Sequence, residues 1–391
     1  MKIALVSPYD WSVPGGVNSH VSHLAMRFRA AGHDARIVAP ASRPVEDCDY
    51  LHVVGTHVIG LPAAGSVAHV SLSFDTSGKV KRLLKEEQFD LVHIHEPFMP
   101  LLPFVFLRQP QGATVATFHA AREGGNRLYA YSRHLIKPWM QNLSGRITVS
   151  RTAMRLVGKY LAGRYRIIPN GVDNSFFAAN VPPMPRYMDA KKNILFLGRL
   201  EKRKGLTYLL QAYALVKRQK PDVRLIIVGG DGGMRIPCER YVEREGLSDV
   251  VFAGYVPNAD VPRYYRTADV YCAPNTGAES QGIVLLEAMA AGTPIVASNI
   301  EGFADVVSHK SDGLLVPPQD VEALAAALLK VIQDQDLRES MGRAGAAKAE
   351  RYSWEHVSQR VLDFYSEILG QEPLRDDPIQ PDVLTPSSLG S

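Results

Sequence analysis

The chain has 391 residues, 46% of them hydrophobic, so it is too long for one ordinary domain and suits two domains of roughly 170–200 residues. It has no apolar run of about 18 residues, which argues against a membrane span, and its three cysteines lack metal-binding spacing. The net charge of +4 is uneven, because residues 1–171 hold 20 Lys and Arg against 11 Asp and Glu, whereas the remainder holds 24 against 29. A basic first half predicts an anionic partner such as a membrane surface or a phosphorylated acceptor, and no motif indicates nucleic acid.

Strand and helix signals alternate through the first half of the chain. The first residues run into a strand pattern with no signal-peptide cleavage site, which predicts a cytoplasmic protein. Such alternation is typical of a parallel, doubly wound α/β sheet. The predicted strands are residues 2–7, 35–39, 91–95, 114–118 and 146–150, and the predicted helices are residues 17–31, 79–87 and 128–143.

The alternation restarts after a loop that ends near residue 190, which predicts a second α/β domain. We therefore place one domain at residues 1–171, a second at 172–353, a closing helix at 354–369 and a disordered, proline-rich tail at 370–391. The predicted strands of the second domain are residues 193–198, 224–229, 250–253, 270–273 and 294–298, and its predicted helices include a helix from about residue 206, 283–291, 320–334 and 337–349.

Two carboxylates eight residues apart, Glu279 and Glu287, carry the strongest functional signal. Glu279 lies in a loop after the predicted strand 270–273, and Glu287 lies about one turn into a helix predicted to begin at Gly282. Ligands of parallel α/β sheets bind at the carboxyl ends of strands, which favours a ligand-binding pair. The alternative for Glu279 is a structural cap of the helix N-terminus.

A basic turn between a strand and a helix is the second candidate site. Arg199 and Lys204 lie in this turn, where fixed cations neutralise a diphosphate and supply what a metal ion supplies elsewhere. The alternative is a solvated basic turn, and we expect Lys202 and Arg203 to be solvated.

Four further sets of residues in the first half have weaker signals. Gly15 and Gly16 precede the first helix and allow backbone N–H groups to approach a phosphate, although a glycine turn after a strand is common. His119 follows a strand at its carboxyl end, which makes it a candidate site residue. The alternative is a structural role in the core or as a cap. His93 and His95 share one strand face but have no third ligand nearby in sequence, so we expect no metal site. Asp47 and Asp49 form an Asp-x-Asp pair that we interpret as chance.

The Glu279–Glu287 spacing and its flanking residues resemble glycosyltransferase family 4, whose members are retaining enzymes of the GT-B fold. The resemblance implies two Rossmann-like domains that face a cleft, with the acceptor side in the first domain and the closing helix packed back on it. It implies a metal-independent hexosyltransferase without a cofactor, in which the nucleotide sugar is a substrate. The roles that it implies are Glu279 on the donor sugar, Glu287 on the ribose, Arg199 and Lys204 on the diphosphate, Gly15 and Gly16 over the donor phosphates, His119 near the transferred carbon, and Gly282 and Ile283 in the donor site.

Within the family, residues 8–20, 93–97, 116–119 and 168–173 are most similar to the bacterial phosphatidylinositol mannosyltransferases. The resemblance favours mannose from GDP-mannose and a hydroxyl acceptor, with a phosphatidylinositol-like lipid as one candidate. It departs from that group where the acceptor binds, at Asn18, Ala64 and Gly124, although Arg122 or Arg127 can replace the Lys expected near Gly124. UDP-glucose or UDP-galactose, with a diacylglycerol or soluble acceptor, and a non-catalytic sugar-nucleotide-binding protein remain alternatives.

A basic stretch in the first half favours contact with a membrane. The predicted helix 79–87 carries Lys79, Lys81, Arg82 and Lys85 beside apolar residues, which is typical of a peripheral helix on the inner face of a cell membrane, and equally of a solvated helix face. The aromatic residues of 128–143 (Tyr129, Tyr131 and Trp139) offer further interfacial surface or simply pack in the core.

Overall fold

The structure is a computed structural model that describes residues 1–45, 48–63, 66–71, 75–109, 111–119, 134, 137–178, 180–370 and 383–384. Its strands are β1 Lys2–Val6, β2 Asp34–Ala39, β3 Leu51–Val53, β4 Val58–Ala63, β5 Ser66–Ser71, β6 Leu91–His95, β7 Ala113–Phe118, β8 Gly145–Thr148, β9 Tyr165–Ile167, β10 Lys192–Leu197, β11 Val223–Val228, β12 Val250–Gly254, β13 Val270–Ala273, β14 Ile295–Ser298, β15 Gly313–Val316 and β16 Val383–Leu384.

Its helices are α1 Gly16–Ala30, α2 Thr76–Glu87, α3 Leu102–Arg108, α4 Arg151–Gly158, α5 Asn174–Phe177, α6 Leu206–Gln219, α7 Arg235–Arg244, α8 Val261–Thr267, α9 Ile283–Ala290, α10 Glu301–Ala304, α11 Val321–Gln333, α12 Gln335–Ala349 and α13 Trp354–Ile368. The chain divides into two compact units. The first comprises Met1–Asn170 and Trp354–Ser391, and the second comprises Gly171–Ser353.

The first unit is built on one long sheet in the order β16-β9-β8-β7-β6-β1-β2-β3. All neighbours pair in parallel except β16, which pairs antiparallel with β9. The chain passes from β1 to β2 on one side and returns to β6 on the other, so the strand order reverses between β1 and β6. The carboxyl ends of the strands at such a reversal are where doubly wound sheets bind ligands.

Helix α13 packs on the first unit, although it follows the second unit in sequence. Its buried residues Trp354, Val357, Val361 and Tyr365 join the core cluster that includes Leu24 and Phe28 of α1. The amphipathic period of α13 explains this burial, because residues three and four apart share one helix face. This helix therefore covers part of the hydrophobic face of the first sheet.

The second unit has a six-stranded, fully parallel sheet in the order β12-β11-β10-β13-β14-β15. All six residues of β11 are buried, as expected for a central parallel strand that is covered by helices on both faces. The strand order reverses between β10 and β13, so the loops that follow these two strands form the predicted binding edge of this unit.

The predicted elements agree with the structure to within about three residues at their ends. Several elements have no counterpart among the predicted ones, namely β3, the β4–β5 hairpin, α3, α4, β9, α5, α7, α8, α10 and β15. Most of the predicted helix 128–143 and of the tail 370–391 lies outside the described residues. Within the described part, Trp139 packs against the core, Met140 is buried, and Val383–Leu384 form β16.

Among the described residues, no helix has both the length and the apolar character that a bilayer crossing requires. The three thiols, Cys48, Cys238 and Cys272, are free, as their odd number and spacing predict.

Candidate functional site

Glu279 lies in the loop after β13, where the strand order of the second unit reverses. Its carboxylate oxygen Oε1 accepts hydrogen bonds from Asn275 Nδ2 at 2.9 Å, Arg203 NH1 at 2.5 Å and Lys204 Nζ at 2.5 Å. The backbone of this loop is held from the other side by Gly302, because a Cβ atom at Gly302 would lie 2.2 Å from the carbonyl oxygen of Glu279. Three donors and a fixed backbone therefore hold this carboxylate in place.

The basic turn after β10 supplies two of these donors. The turn contains a short 3₁₀ helix, Lys202–Lys204, and Gly205 links it to α6 with a left-handed φ of 72°. A side chain at Gly205 would collide with the carbonyl oxygen of Pro274, so glycine allows the turn to approach the end of β13. The predicted order of strand, turn and helix is confirmed.

Of the two cations of this turn that were expected to be solvated, one agrees with the prediction and one differs. Arg203 was expected to be solvated, which is wrong, because its Nε donates to Glu201 Oε2 at 2.9 Å and its NH1 donates to Glu279. Spacing alone did not reveal this contact, which depends on a loop 76 residues further along the chain. Lys202 is exposed, as predicted.

Arg199 and Lys204, the predicted diphosphate ligands, have different environments. The Arg199 side chain is 58% exposed and lies 3.4 Å from Glu201 Oε1 through NH1, whereas the Lys204 side chain is 15% exposed and bonds Glu279. Glu201, which the sequence reasoning did not consider, is buried between Arg199 and Arg203. Five charges of alternating sign thus follow one another at this edge of the sheet.

Helix α9 begins at Ile283, one residue after the predicted start, with Gly282 as its N-cap residue, and Glu287 lies on its second turn. The hydrogen bonds given for the Glu279 carboxylate come from the side chains of Arg203, Lys204 and Asn275, and so do not support the alternative interpretation of Glu279 as a helix cap. Gly282 has a φ of 76°, and a Cβ atom there would lie 2.6 Å from the Phe303 ring. Ile283, the first helical residue, is partly exposed.

Glu287 is a partly exposed carboxylate in apolar surroundings. Burial raises the pKa of the Glu287 carboxyl above its ordinary value, and the hydrogen bond from Tyr265 Oη at 2.9 Å opposes this shift. Tyr265 is itself buried in the core of the second unit, so it fixes the orientation of the carboxylate. Tyr265 was not among the predicted site residues, because it lies 22 residues before its partner.

Gly15 and Gly16 lie at the N-terminus of α1 in the first unit, where the strand order reverses between β1 and β6. Both are exposed, neither has a positive φ, and a Cβ atom at either would meet nothing within 4 Å. Gly15, the N-cap residue, makes no side-chain hydrogen bond to this helix. The fold itself does not require glycine at these positions, and the helix N-terminus is open to an anion.

His119 directly follows β7 and belongs to a cluster of imidazoles. His119 Nε2 lies 3.0 Å from His95 Nδ1, and the backbone N–H of His119 donates to Glu96 Oε1 at 2.5 Å. The ring of His20, on α1, lies 4.9 Å from the His119 ring between centroids. Burial lowers the pKa of His119 to about 3 and that of His20 and His95 well below its ordinary value, so the three imidazoles are neutral near pH 7.

The expectation that no metal site is present rested on the lack of a third ligand near His93 and His95 in sequence. One ring nitrogen of each of His20, His95 and His119 lies within 4.8 Å of the other two, so tertiary structure supplies the third imidazole that is missing near His95 in sequence. His93 does not join them, because its two nitrogens contact Tyr365 Oη at 2.5 Å and Thr117 Oγ1 at 2.6 Å. The hydrogen-bond distance between His95 and His119 fits a direct contact between these two rings.

Asn18 has a structural role in the first unit. Its Oδ1 accepts a hydrogen bond from Ser7 Oγ at 2.7 Å, and its Nδ2 donates to the carbonyl oxygens of Asp10 and Val13. The other positions at which acceptor contacts were considered, Ala64, Arg122, Gly124 and Arg127, lie outside the described residues. Asp47 also lies outside them, and Asp49 is an exposed ion-pair partner of Arg29 at 3.8 Å.

Helix α2 exposes all four basic residues of the predicted membrane stretch, which are Lys79, Lys81, Arg82 and Lys85. Its apolar residues Val80, Leu83 and Leu84 are buried in the core of the first unit. An apolar contact with lipid, as expected for an amphipathic helix lying on a membrane, is therefore not available to these three side chains. The exposed face is therefore mainly basic, although Glu86 is also exposed and Lys79 pairs with the exposed Asp75 at 3.6 Å.

Comparisons with known proteins agree with this architecture. The model of the "Glycosyltransferase Family 4" domain matches residues 14–176, and that of "Glycosyl transferases group 1" matches residues 186–348. A phosphatidyl-myo-inositol mannosyltransferase of Mycolicibacterium smegmatis is 39% identical over 375 residues, which cover 95% of each chain. One from Propionibacterium freudenreichii is 30% identical over 383 residues, covering 95% of this chain and 96% of the relative.

Solved structures share the fold. A sucrose-phosphate synthase from Thermosynechococcus elongatus matches with a TM-score of 0.73 at 23% identity, covering 94% of this chain and 99% of that one. The Anabaena protein HepE in complex with UDP and glucose matches with a TM-score of 0.72 at 20% identity, covering 94% and 99%. These matches confirm the GT-B class of α/β fold. The chain therefore belongs to glycosyltransferase family 4 and is a glycosyltransferase.

Proposed function

We propose that this glycosyltransferase is a retaining mannosyltransferase that transfers mannose from GDP-mannose to a hydroxyl acceptor, with a phosphatidylinositol-like lipid as the first candidate. The names of relatives at 39% and 30% identity over most of the chain support the sugar and the acceptor class. The observation that carries the proposal is the group of Lys204, Arg199 and Glu279 at the strand reversal of the second unit.

The chemistry fits these residues. In the transfer, the bond between the anomeric carbon and the β-phosphate oxygen breaks, and the electron pair leaves with the nucleoside diphosphate. A bond to the acceptor oxygen forms on the same face of the sugar, and the acceptor proton passes to the departing phosphate. Arg199 and Lys204 would stabilise the negative charge that develops on that phosphate. Because these cations can serve where a metal ion serves elsewhere, we propose that the reaction needs no metal or other cofactor.

The remaining residues of the second unit would bind the donor. Glu279 would contact the sugar as positive charge develops, which a carboxylate stabilises. Glu287, oriented by Tyr265, would accept hydrogen bonds from the ribose hydroxyls. Gly282 and Ile283 would lie beside the nucleotide at the N-terminus of α9, where backbone N–H groups favour an anion.

Two features of the first unit would suit contacts with a nucleotide sugar. Gly15 and Gly16 leave the N-terminus of α1 unobstructed for the donor phosphates. His119 would contact the sugar near the transferred carbon as a neutral imidazole, because burial lowers its pKa to about 3. A neutral ring donates one hydrogen bond and accepts another, which suits positioning of a sugar hydroxyl.

A lipid acceptor requires that the protein reach a membrane, and the exposed basic face of α2 supports this. Each Lys or Arg near an anionic surface contributes about 1 kcal/mol of attraction. Since Val80, Leu83 and Leu84 face the core, we expect this contact to be electrostatic, peripheral and sensitive to salt.

The decisive experiment is a transfer assay with separate donors and acceptors. The purified protein is incubated with GDP-mannose, UDP-glucose or UDP-galactose, each with phosphatidylinositol, diacylglycerol or a soluble polyol phosphate, and both the product and its anomeric configuration are determined. We expect mannosylated phosphatidylinositol with the configuration of the donor retained. Transfer only from a UDP-sugar, or inversion at the anomeric carbon, would contradict the proposal, and no turnover of any donor would favour a non-catalytic binding protein.

Membrane contact is tested by co-sedimentation with vesicles of phosphatidylcholine alone or mixed with phosphatidylserine, at low and high salt. We expect binding to the anionic vesicles only, weakened by salt and lost when Lys79, Lys81, Arg82 and Lys85 are all changed to Ser. Equal behaviour with both vesicles would instead favour a soluble acceptor.

A further inference from the structure

Glu279 has one oxygen that is shared by two cations. Arg203 NH1 and Lys204 Nζ both lie 2.5 Å from Oε1, and Asn275 Nδ2 lies 2.9 Å from it. One negative charge therefore faces two positive charges from adjacent residues. A diphosphate that reached this turn would compete with Glu279 for its cations, since charge-assisted bonds to phosphate and to carboxylate use the same donors.

The two cations are not equally free to change partner. Lys204 has a single ammonium group on a flexible stem, with Glu279 as the acceptor that the structure gives it. Arg203 is held at two points, because its Nε donates to Glu201 at 2.9 Å while its NH1 reaches Glu279. The planar guanidinium fixes the angle between these two bonds, so Arg203 is the more rigid partner.

The surroundings of Arg203 add to this rigidity. The Arg203 carbonyl oxygen accepts hydrogen bonds from the backbone N–H of Thr276 at 2.9 Å and from Thr276 Oγ1 at 3.3 Å, so the backbone of the turn is tied to the loop that leads to Glu279. Glu201 is buried, and its side chain is 8% exposed. A buried carboxylate needs its cation, which makes exchange of Arg203 costly.

We propose that Arg203 is a positioning residue for Glu279, which keeps this carboxylate in place while Lys204 turns to the donor diphosphate, and that Glu201 holds Arg203 for this task. The inference rests on the proposed function, because it assigns Lys204 to the diphosphate and Glu279 to the sugar. It adds that Arg203 acts through Glu279 and does not itself bind the donor.

The test compares Arg203→Met with Lys202→Met, a matched control that removes the same charge from the neighbouring, exposed residue. The measurements are kcat and KM for the donor that the wild-type protein uses, and the Kd of the corresponding nucleoside diphosphate by calorimetry. We expect Arg203→Met to lower kcat about 30-fold and to change Kd less than about threefold, since a positioning defect acts on turnover. Lys202→Met should change both values less than about threefold.

A double-mutant cycle identifies the residue through which Arg203 acts. In a Glu279→Gln background, Arg203→Met should lower kcat by less than about threefold more, because its target is already altered. Arg203→Lys, which keeps the charge but loses the two-point contact, should lie between the wild type and Arg203→Met. If Arg203→Met does not fold, this lysine variant carries the test.

Several results would overturn the inference. Arg203→Met that behaves like Lys202→Met would show that the contact with Glu279 has no role in turnover. A loss of nucleotide affinity equal to the loss of kcat, or a full additional loss in the Glu279→Gln background, would instead make Arg203 a direct ligand of the diphosphate. An inactive wild type with every donor would remove the proposed function, and the inference would fall with it.

Discussion

The two units place different kinds of chemistry at the same point of similar sheets. At the strand reversal of the second unit, Arg199, Glu201, Arg203, Glu279 and Lys204 form a chain of alternating charges. At the strand reversal of the first unit, His20, His95 and His119 form a cluster of neutral, largely buried rings. Pairing of opposite charges therefore characterises the site of the second unit, whereas burial of neutral rings characterises that of the first.

The difference shows how each unit makes its site specific. In the second unit, each charged side chain of the group lies within 3.4 Å of a group of opposite charge. The imidazoles have no carboxylate bonded to a ring nitrogen among the described contacts, so desolvation decides their state and keeps them neutral. Changes of charge should therefore affect the second unit most, and changes of pH the first.

The largest effect is expected for the cations of the second unit. Lys204→Ala or Arg199→Ala should lower kcat/KM by about 10²-fold or more, which corresponds to roughly 2.7 kcal/mol of lost charge stabilisation. Steady-state kinetics with the preferred donor measure this loss, and Lys202→Ala is the control with the same loss of charge. Equal kinetics for the Lys204 and Lys202 variants would contradict the assignment of Lys204 to charge stabilisation in the second unit.

The two carboxylates of the second unit should fail in different ways. Glu279→Gln should lower kcat by about 30-fold with little change in donor affinity, because this residue acts as charge develops on the sugar. Glu287→Gln should weaken nucleotide binding by about tenfold and leave kcat nearly unchanged. Kinetics and calorimetry with the nucleoside diphosphate separate the two. Normal binding and turnover in both variants would mean that this pair does not form the donor site.

The first unit should lose stability in mild acid. Burial lowers the pKa of His93 from its ordinary value near 6.5 to about 3. Below about pH 6.5, this imidazole therefore binds a proton in the unfolded chain but not in the folded chain. Stability is complete above that pH and declines as the pH falls, by about 2 kcal/mol at pH 5 for one such imidazole. Trp11, Trp139 and Trp354 all lie in the first unit, so tryptophan fluorescence during urea unfolding at pH 7.5 and 5.0 reports this loss.

A variant of His93 sharpens that test. His93→Gln removes the titrating ring while an amide can still bond Tyr365 or Thr117. The variant should be less stable at pH 7.5 but should lose less stability than the wild type between pH 7.5 and 5.0. An equal loss in both proteins would assign the acid sensitivity to other groups.

The smallest effect is expected from removal of metal ions. Dialysis against EDTA should leave the transfer rate unchanged within about twofold, because Arg199 and Lys204 supply the positive charge at the diphosphate. Restoration with magnesium, manganese or zinc is the control. If EDTA abolished activity, and zinc alone restored it in the wild type but not in His95→Ala, the histidine cluster of the first unit would be a metal site. That result would contradict the contrast between the two units.

Much of the architecture could be predicted from local patterns. The buried strands β6 and β13 have the predicted bounds, and α9 begins within one residue of the predicted start, because the left-handed Gly282 and an apolar helical run define its start locally. Short elements such as β9 and the β4–β5 hairpin were missed, since a strand of three residues or a separate hairpin carries little periodicity.

The amino-acid sequence alone determined the α/β class, the family and the positions of Glu279, Glu287, Arg199 and Lys204, because these depend on motifs that are contiguous or closely spaced. Tertiary structure alone decided which of these residues meet. The contact of Arg203 with Glu279 spans 76 residues, that of Tyr265 with Glu287 spans 22, and that of His95 with His119 spans 24. Parallel strands bring such distant residues together at one edge of a sheet, and no local pattern records which strands become neighbours.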